Sequence, residues 1–385
     1  MAGRQTVVVG AGPAGLAAAA MLGRRGLTAT VLDREPAVGA SWRGHYESLR
    51  MHTVRSLSTL PGAPLPRAGG RWVARADFVA YLDRYAAENR LVIRPSVDVH
   101  RIDAAGAGVM LATSAGTITA AAAVVATGYN REPVLPAWPG QDTFGGRLLH
   151  SNAYRTADPY RGQDVLVVGA GNSGTDIALD LARGGARRVW LSLRSPPGLV
   201  PRQALGLPAQ VAAIGLARAP ARLADAVAAL ERRLFVGDLS ARGLQADARG
   251  IFTRHRREGR LPILDHGFAA AVRNGQITIV PAVEAIDGPH VDLHGGTRLD
   301  PATIIAATGY RPALHALVGH LGVLRPDGLP AVHGARTHPG APCVHFTGFR
   351  NPITGALREL RFEAAAIAEA IAAAEASALV RAQPA

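Results

Sequence analysis

V-V-V-G-A-G-P-A-G at Val7–Gly15 and V-L-V-V-G-A-G-N-S-G at Val165–Gly174 decide the fold of this 385-residue chain. Each stretch is a β-branched run that ends in G-x-G-x-x-G and continues into a helix-forming segment. The first glycine allows a tight turn out of a strand, the second leaves room for a pyrophosphate, and the third lets the helix pack closely on the sheet. Two copies of this pattern predict a chain that binds two dinucleotides and moves electrons between them.

The residues that end the second strand of each unit indicate which dinucleotide each unit binds. Asp33 ends the strand predicted at Thr28–Leu32, where a carboxylate can hydrogen-bond a ribose hydroxyl. In the second unit the corresponding strand ends in Arg194-Ser195, and an arginine there would pair with a 2′-phosphate that an aspartate would repel. The pattern favours FAD in the first unit and NADPH in the second.

The order of the motifs predicts that one unit is inserted into the other. The chain leaves the second unit through a strand at Ile304–Ala307 and returns to the first. We therefore expect an α/β fold with two Rossmann-like domains. The predicted FAD-binding domain comprises residues 1–155 and 305–385, and the predicted NADPH-binding domain comprises residues 156–304.

Composition excludes several kinds of chemistry. Cys343 is the only cysteine, which rules out an intramolecular disulfide, a redox dithiol and a cysteine-rich metal site, and we expect no metal. The chain has no lysine, so Schiff-base catalysis is excluded as well. The formal charge of +13 is carried by dispersed arginines without an aromatic-rich binding motif, and we expect no nucleic-acid partner. No apolar run is long enough to span a bilayer, and we expect a cytoplasmic protein.

One amphipathic segment has three interpretations. Arg222–Leu234 carries apolar residues at helical spacing with arginine and acidic residues between them. Such a helix could lie on a membrane surface, cover the active site or form a dimer face. On sequence grounds we favour the last two, and a homodimer stays open.

The stretch between the two units is the most diagnostic. Phe144–Tyr154 reads F-G-G-R-L-L-H-S-N-A-Y and fits F-x-G-x-x-x-H-x-x-x-Y at every specified position. It resembles the identifying motif of class B flavin-dependent monooxygenases, in the form found in the flavin-containing monooxygenase branch. The resemblance implies the glutathione-reductase-like architecture of two-dinucleotide flavoproteins and a structural role for His150 at the hinge between the domains.

Further segments resemble the plant auxin-forming, YUCCA-type branch, which oxidatively decarboxylates an indole α-keto acid. Trp42–Pro61 is similar to its flavin-edge segment, and His52 stands where that branch has histidine and many other members have asparagine. Phe346–Phe349 (F-T-G-F) is similar as well. The residues after His52 and after Phe349 differ from the plant enzymes, so the substrate stays open.

The resemblance implies that NADPH reduces the flavin and that dioxygen then gives a flavin C-4a (hydro)peroxide, which oxygenates a small organic substrate at nitrogen, sulfur or a carbonyl such as an α-keto acid. The alternatives are an NADPH oxidase or reductase and a catalytically idle FAD-binding sensor. The predicted catalytic residues are His52, which would orient the nicotinamide or the peroxide, Gly348 beside the flavin, and Arg350, which would recognise a substrate carboxylate. A buried structural role is the alternative for His52.

The glycine turns, the strand ends and the resemblance together predict these cofactor-binding residues: Gly10, Gly12, Pro13, Ala14, Gly15, Asp33, Arg34, Trp42, His52, Val97, Thr127, Gly128, Gly169, Gly171, Asn172, Ser173, Gly174, Arg194, Ser195, Thr308, Gly309, Thr347 and Gly348.

Overall fold

The computed structural model describes residues 5–382 and shows an α/β protein built on two five-stranded parallel sheets. Residues 1–4 and 383–385, which the predicted first domain includes, lie outside the described residues. The strands are, in chain order, β1 (Thr6–Val9), β2 (Ala29–Leu32), β3 (Val92–Arg94), β4 (Val99–Ala105), β5 (Gly108–Thr113), β6 (Gly116–Ala120), β7 (Ala122–Val125), β8 (Glu132–Pro133), β9 (Arg147–His150), β10 (Asp164–Val168), β11 (Arg188–Ser192), β12 (Leu199–Pro201), β13 (Gln203–Ala204), β14 (Leu207–Pro208), β15 (Ile263–Asp265), β16 (Thr278–Val280), β17 (Val283–Asp287), β18 (His290–Leu293), β19 (Arg298–Leu299), β20 (Thr303–Ala306), β21 (Tyr310–Arg311) and β22 (Val344–Phe346).

Helices connect and cover these strands. They are α1 (Pro13–Arg24), α2 (Ala40–Arg43), α3 (Arg75–Glu88), α4 (Asn172–Arg183), α5 (Ala209–Leu216), α6 (Ala221–Glu231), α7 (Ile251–Glu258), α8 (Phe268–Arg273), α9 (His315–Val318) and α10 (Ala356–Ala382). A wider, π-helical turn at Arg232–Val236 continues α6. Within residues 5–382, no helix combines the length and the hydropathy that spanning a lipid bilayer requires.

The strand order shows how one unit is inserted into the other. The first sheet has the order β22-β7-β1-β2-β3, and the second has the order β16-β11-β10-β20-β9. Strand β22 pairs in parallel with β7 although the whole second sheet lies between them in sequence. The chain therefore leaves the first unit after β7, builds the second sheet, and returns to add β22.

The sheet pairing moves both predicted domain boundaries. Strand β9 pairs with β20 as the edge of the second sheet, although it lies within the range 1–155 predicted for the first domain. The boundary at residue 305 divides β20, all of which belongs to the second sheet. Sequence order misassigned β9 because this strand precedes the second glycine turn, and only its pairing with β20, more than 150 residues later, shows where it belongs.

Each glycine-rich turn begins a helix that lies directly on its sheet. Helix α1 starts at Pro13, buries its alanines and leucines, and packs against the long helix α10. The close approach depends on Gly15, because a Cβ at this position would overlap the carbonyl oxygen of Gly10. Gly174 has the same relation to Gly169 at the start of α4. The third glycine of each motif is therefore required by backbone-to-backbone contact, as the sequence predicted.

This contact predicts that two alanine substitutions in the same helix will have opposite effects. Gly15→Ala should lower the free energy of unfolding by about 3 kcal/mol, because the methyl group forces α1 away from the turn. Gly23→Ala, where a Cβ would meet nothing within 4 Å, should raise it by about 0.5–1 kcal/mol through helix propensity. Urea unfolding of both variants without cofactor measures the difference, and equal effects would show that the turn can relax around the methyl group.

Candidate active site

A cleft of about 560 Å³ opens at the carboxyl ends of β1, β2 and β7. This edge of the first sheet is where parallel α/β sheets bind ligands, because the loops that follow the strands diverge there. Twelve of the residues predicted from the sequence line the cleft: Gly10, Gly12, Pro13, Ala14, Asp33, Arg34, Trp42, Val97, Thr127, Gly128, Gly348 and Arg350. The lining also includes polar residues that the sequence-based site prediction left out, among them His45, Asp98, Arg131, Asn152, Arg155, Tyr310 and Glu363.

The wall of the cleft fits the pyrophosphate and ribose of a dinucleotide. A Cβ on Gly12 would meet nothing within 4 Å, so the backbone at this position is open to a ligand. Asp33 is held beside the turn by accepting hydrogen bonds from the backbone N–H groups of Ala11 (2.5 Å) and Glu35 (2.8 Å). The hydroxyl of Thr127 is buried without a hydrogen-bond partner among the described residues. An unpartnered buried hydroxyl in a cleft wall is expected where a bound molecule completes the hydrogen bonding.

The far wall of the cleft comes from the segment that joins β22 to α10. Gly348 lines the cleft with φ of +80°, and a Cβ on it would come within 2.9 Å of the Ala14 methyl group. Thr347 does not itself line the cleft, but its hydroxyl donates to Glu363 of α10, which does, at 2.9 Å. Arg350 is exposed and lies 3.9 Å from the same carboxylate. A substrate carboxylate at Arg350 would therefore compete with Glu363.

The second glycine turn repeats the geometry of the first. Gly169 has φ of +108°, and a Cβ on Gly171 would meet nothing within 4 Å. Because β10 and β11 are parallel neighbours, Arg194 and Ser195, which follow β11, lie at the same sheet edge as this turn. The Asn172 side chain holds the neighbouring segment instead, accepting from the Leu264 N–H at 3.1 Å. The turn thus offers a second ligand its backbone and the exposed arginine.

Two further predicted residues hold the crossover between the units. The Thr308 hydroxyl donates to the carbonyl of Val134. The carbonyl of Gly309 accepts a hydrogen bond from Nε2 of His150 at 3.0 Å, while Nδ1 of His150 accepts from the backbone N–H of Asn152 at 3.1 Å. Both ring nitrogens of His150 are therefore engaged with backbone groups, which is the arrangement expected of a structural histidine.

His52 does not line the cleft but faces the second unit. Its Nε2 lies 3.0 Å from Oδ2 of Asp176 on α4, and Nε2 of His266 lies 2.9 Å from Oδ1 of the same carboxylate. The hydroxyl of Tyr46 donates to Oδ2 at 2.8 Å. One carboxylate of the second unit thus joins two side chains of the first unit, Tyr46 and His52, to His266.

The charge state of this cluster follows from its contacts. Burial alone would raise the pKa of Asp176, but the hydrogen bonds and positive charge of His266 and His52 outweigh it and lower the pKa well below its ordinary value. Burial and the nearby Asp176 charge raise the pKa of Tyr46 far above its usual range, so the phenol remains a donor. An ionised carboxylate only accepts hydrogen bonds, so Nε2 of His52 carries a hydrogen and donates it to Asp176.

One ring atom of this cluster, Nδ1 of His52, has no partner within it. It is buried and has no hydrogen-bond partner among the described residues. The adjoining segment is held by Gln210, which accepts from the Val54 N–H at 2.9 Å and donates to the Thr354 carbonyl at 2.8 Å. The loop of His52 is therefore fixed, through Gln210, to the residues just before α10. A buried ring nitrogen without a protein partner is expected where a bound molecule completes the hydrogen bonding.

The cluster could not be assembled from sequence spacing. Asp176 is separated from His52 by 124 residues and from His266 by 90. The one available signal was the position of Asp176 in the first turns of the helix after the second glycine motif. Within residues 5–382, His52, Asp176 and His266 are also the group whose ligand atoms, all within 4.8 Å of one another, could hold a metal ion. The sequence did not indicate that possibility.

An α/β chain with two dinucleotide-binding turns and a single cysteine has the architecture of a two-dinucleotide flavoprotein without an intramolecular dithiol. A family model described as pyridine nucleotide-disulphide oxidoreductase matches residues 7–197. The chain is 36% identical over 310 residues to indole-3-pyruvate monooxygenase YUCCA1 of Oryza sativa subsp. japonica, covering 79% of this chain and 76% of the relative. It is 30% identical to the probable indole-3-pyruvate monooxygenase YUCCA4 of Arabidopsis thaliana, covering 95% and 89%.

Solved structures agree in fold. The flavin-containing monooxygenase from Stenotrophomonas maltophilia matches with a TM-score of 0.73 at 24% identity, over 97% of this chain and 99% of that chain. A steroid monooxygenase bound to NADP matches with a TM-score of 0.74 at 18% identity, over 99% and 87%. The chain belongs to the flavin-containing monooxygenase family, in its YUCCA-type branch. It is an FAD- and NADPH-dependent monooxygenase, and the resemblance, the fold class and the cofactors predicted from the sequence are confirmed.

The low pKa of Asp176 predicts a pH-dependent contribution to stability. A carboxyl whose pKa is lower in the folded than in the unfolded chain stabilises the fold above its ordinary pKa of about 3.9, and this contribution is lost as the pH falls. At pH 7, Asp176→Asn should lower the free energy of unfolding by roughly 3 kcal/mol, because it breaks a buried charged network. The difference from the wild type should shrink below about pH 4.

Urea unfolding at a series of pH values measures this difference. Asp142→Asn, at an exposed position, is the matched control and should leave stability unchanged. A deficit of Asp176→Asn that stayed constant from pH 7 to pH 3 would show that Asp176 does not act through its charge.

Proposed function

We propose that this monooxygenase oxidatively decarboxylates a small aromatic α-keto acid of the indole-3-pyruvate type. The relatives that share 30–36% of its residues over most of its length are named for that substrate. The observation that supports the proposal is the His52–Asp176 pair, because it orients an imidazole where the two units meet. The exposed Arg350 at the cleft supplies a cation for the substrate carboxylate.

The overall reaction balances with one reductant and one oxidant. An α-keto acid R–CO–COOH, dioxygen, NADPH and a proton give R–COOH, carbon dioxide, NADP⁺ and water. The bond between the keto and carboxyl carbons breaks, one oxygen atom enters the product, and the other leaves as water. FAD, when bound, supplies hydride acceptance and oxygen activation.

The first cleft would hold FAD and the second glycine turn would hold NADPH. Gly12 would leave room for the pyrophosphate of FAD. Asp33 would accept a hydrogen bond from a ribose hydroxyl, and the backbone at Gly348 would lie near the flavin. At the second unit, Gly171 and the N-terminus of α4 would receive the other pyrophosphate, and Arg194 would pair with the 2′-phosphate. The open Cβ directions at Gly12 and Gly171 support this assignment.

His52 would hold the reacting molecules through a hydrogen bond at Nδ1. Asp176 and Tyr46 are positioning residues in this proposal, since they fix the ring orientation without touching the substrate. A fixed hydrogen-bonding group favours oxygen transfer over release of hydrogen peroxide. His45, which lines the cleft, has its pKa lowered by burial and by nearby Arg155, so it stays neutral there.

The location, the oligomeric state and the domain ranges of the protein stay predictions. We propose a cytoplasmic location, and both a monomer and a homodimer are compatible with the proposal. The domain ranges are proposed with the correction that the sheet pairing requires, with β9 and all of β20 assigned to the NADPH unit.

A substrate panel tests the proposed reaction. With NADPH and dioxygen, indole-3-pyruvate and phenylpyruvate should each give the shortened acid and carbon dioxide, at close to one product per NADPH. A tertiary amine and a thioether should give mostly hydrogen peroxide. Efficient amine or thioether oxygenation with no keto-acid product would assign the enzyme to nitrogen or sulfur oxygenation. Peroxide alone with every substrate would make it an NADPH oxidase.

Removing the imidazole should uncouple the enzyme. His52→Ala should still be reduced by NADPH, but the ratio of hydrogen peroxide to product should rise by one to two decades, because a hydrogen bond to a polarised group contributes about 1–3 kcal/mol. His320→Ala, whose ring pairs with Asp103 at the surface, should leave that ratio unchanged. Peroxide and product are quantified together with the melting temperature. A lower melting temperature with an unchanged ratio would limit His52 to a structural role.

A further inference from the structure

The apolar side chains exposed at the surface are concentrated in one segment. Of the twelve large hydrophobic residues that are exposed among residues 5–378, seven fall between positions 205 and 235: Leu205, Leu207, Val211, Leu223, Leu230, Leu234 and Phe235. This segment follows β12 in the NADPH unit and contains α5 and α6. Scattered single exposures are normal on protein surfaces, but a concentration in about one-twelfth of the chain indicates an interaction surface.

Helix α6 turns its larger apolar side chains toward solvent, whereas amphipathic helices usually turn them toward the core. Leu223, Leu230 and Leu234 recur at seven- and four-residue intervals and therefore share one face, on which they are 56%, 57% and 66% exposed. The face buried against the protein is instead formed by Ala224 and Ala228. A helix that buries alanines and exposes leucines leaves its larger apolar surface for something outside the chain.

A second feature of the same segment is an exposed leucine at the tip of a hairpin. Leu205 joins β13 to β14, is 92% exposed, and has φ of 48°, a conformation that costs a leucine energy and that glycine or asparagine would adopt more easily. Arg71 of the first unit holds this hairpin through hydrogen bonds to Gln203 (3.0 Å) and to the Gly206 carbonyl (2.9 Å). The tip therefore presents an apolar side chain at a fixed position despite the backbone cost.

The charges around the leucine face of α6 are positive. Arg222 and Arg233 are both exposed and stand eleven residues apart, about three turns, so they flank the leucines on the same side. Neither has a carboxylate within salt-bridge distance among the described residues. The acidic residues of α6 do not pair with them: Asp225 accepts from the Phe252 N–H at 2.6 Å on the opposite side. Among the described residues, Glu231 forms no salt bridge with either arginine.

We propose that the leucine face of α6 and of the π-helical turn that continues it (Leu223, Leu230, Leu234 and Phe235) binds peripherally to an anionic lipid membrane. Leucine and phenylalanine side chains on one face with arginines beside them are the pattern of a helix that lies in a membrane interface. A second copy of this chain fits the face less well in an antiparallel two-fold pairing, because that pairing would bring the Arg222 and Arg233 rows together without matching carboxylates. The cytoplasmic leaflet of a cell membrane carries the negative charge that these arginines would meet.

Vesicle co-sedimentation of the FAD-loaded full chain tests this proposal. Vesicles of phosphatidylcholine and phosphatidylglycerol at a 3:1 ratio should sediment at least tenfold more protein than vesicles of phosphatidylcholine alone. The double variant Leu230→Asp/Leu234→Asp should reduce the binding to anionic vesicles at least tenfold. In the wild type, 0.5 M salt should weaken the binding to anionic vesicles, because it screens the arginine charges. The double variant Arg222→Glu/Arg233→Glu should show neither the preference for anionic vesicles nor this effect of salt. Leu135→Asp, at a comparably exposed leucine elsewhere, should bind like the wild type.

The flavin spectrum and the melting temperature of each variant show whether it is folded, and Leu230→Gln/Leu234→Gln replaces the double aspartate variant if that one is not. Absence of sedimentation with anionic vesicles would overturn the proposal, as would binding that the leucine substitutions leave unchanged. Light scattering provides the remaining arm: a wild-type dimer that the leucine variants convert to monomer would show that a second copy covers this face.

Discussion

The buried carboxylate of Asp176 is the interaction on which the relation between the two units depends. An ionised group cannot be taken out of water without partners that replace the lost hydrogen bonds, and the penalty is several kcal/mol. The partners of Asp176 are Tyr46 and His52 from the first unit and His266 from the second. The carboxylate is therefore fully compensated only when the units are closed on each other, so the same contact orders the interface and orients the candidate site.

The two glycine turns have the same backbone geometry but differ in the charge of one neighbouring side chain. In both turns the first glycine has a positive φ and a backbone oxygen close to where its Cβ would be, and the second glycine faces open space. The difference lies at the end of the neighbouring strand, where the first unit has Asp33 and the second has the exposed Arg194. In the proposed assignment the backbone would recognise the pyrophosphate that both dinucleotides share, while one side chain of opposite charge would distinguish them.

The sequence predicted those parts of the fold that are encoded locally. The strands and helices around both turns lie within a few residues of their predicted positions, because β-branched runs, glycines and helix formers follow one another there. Strand β9 was misassigned because its partner β20 is distant in sequence, and strand pairing leaves no local mark. The same limit applies to the candidate site. His52 and the cleft glycines carry motif signals, whereas His266 and Gln210 meet their partners only through tertiary packing.

Helix α6 shows why periodicity alone cannot decide what an amphipathic segment does. Its spacing revealed one apolar face, and the ordinary expectation is that the larger apolar side chains turn inward. The space beneath the helix, shared with Val200 and Phe252, admits only the alanine side, so the leucines face outward. Burying Ala224 and Ala228 lets α6 lie close to the protein, but it leaves the larger apolar area of the leucine side in water unless a partner covers it. The physical argument for a partner at this surface is thus the orientation of the helix, which sequence spacing cannot supply.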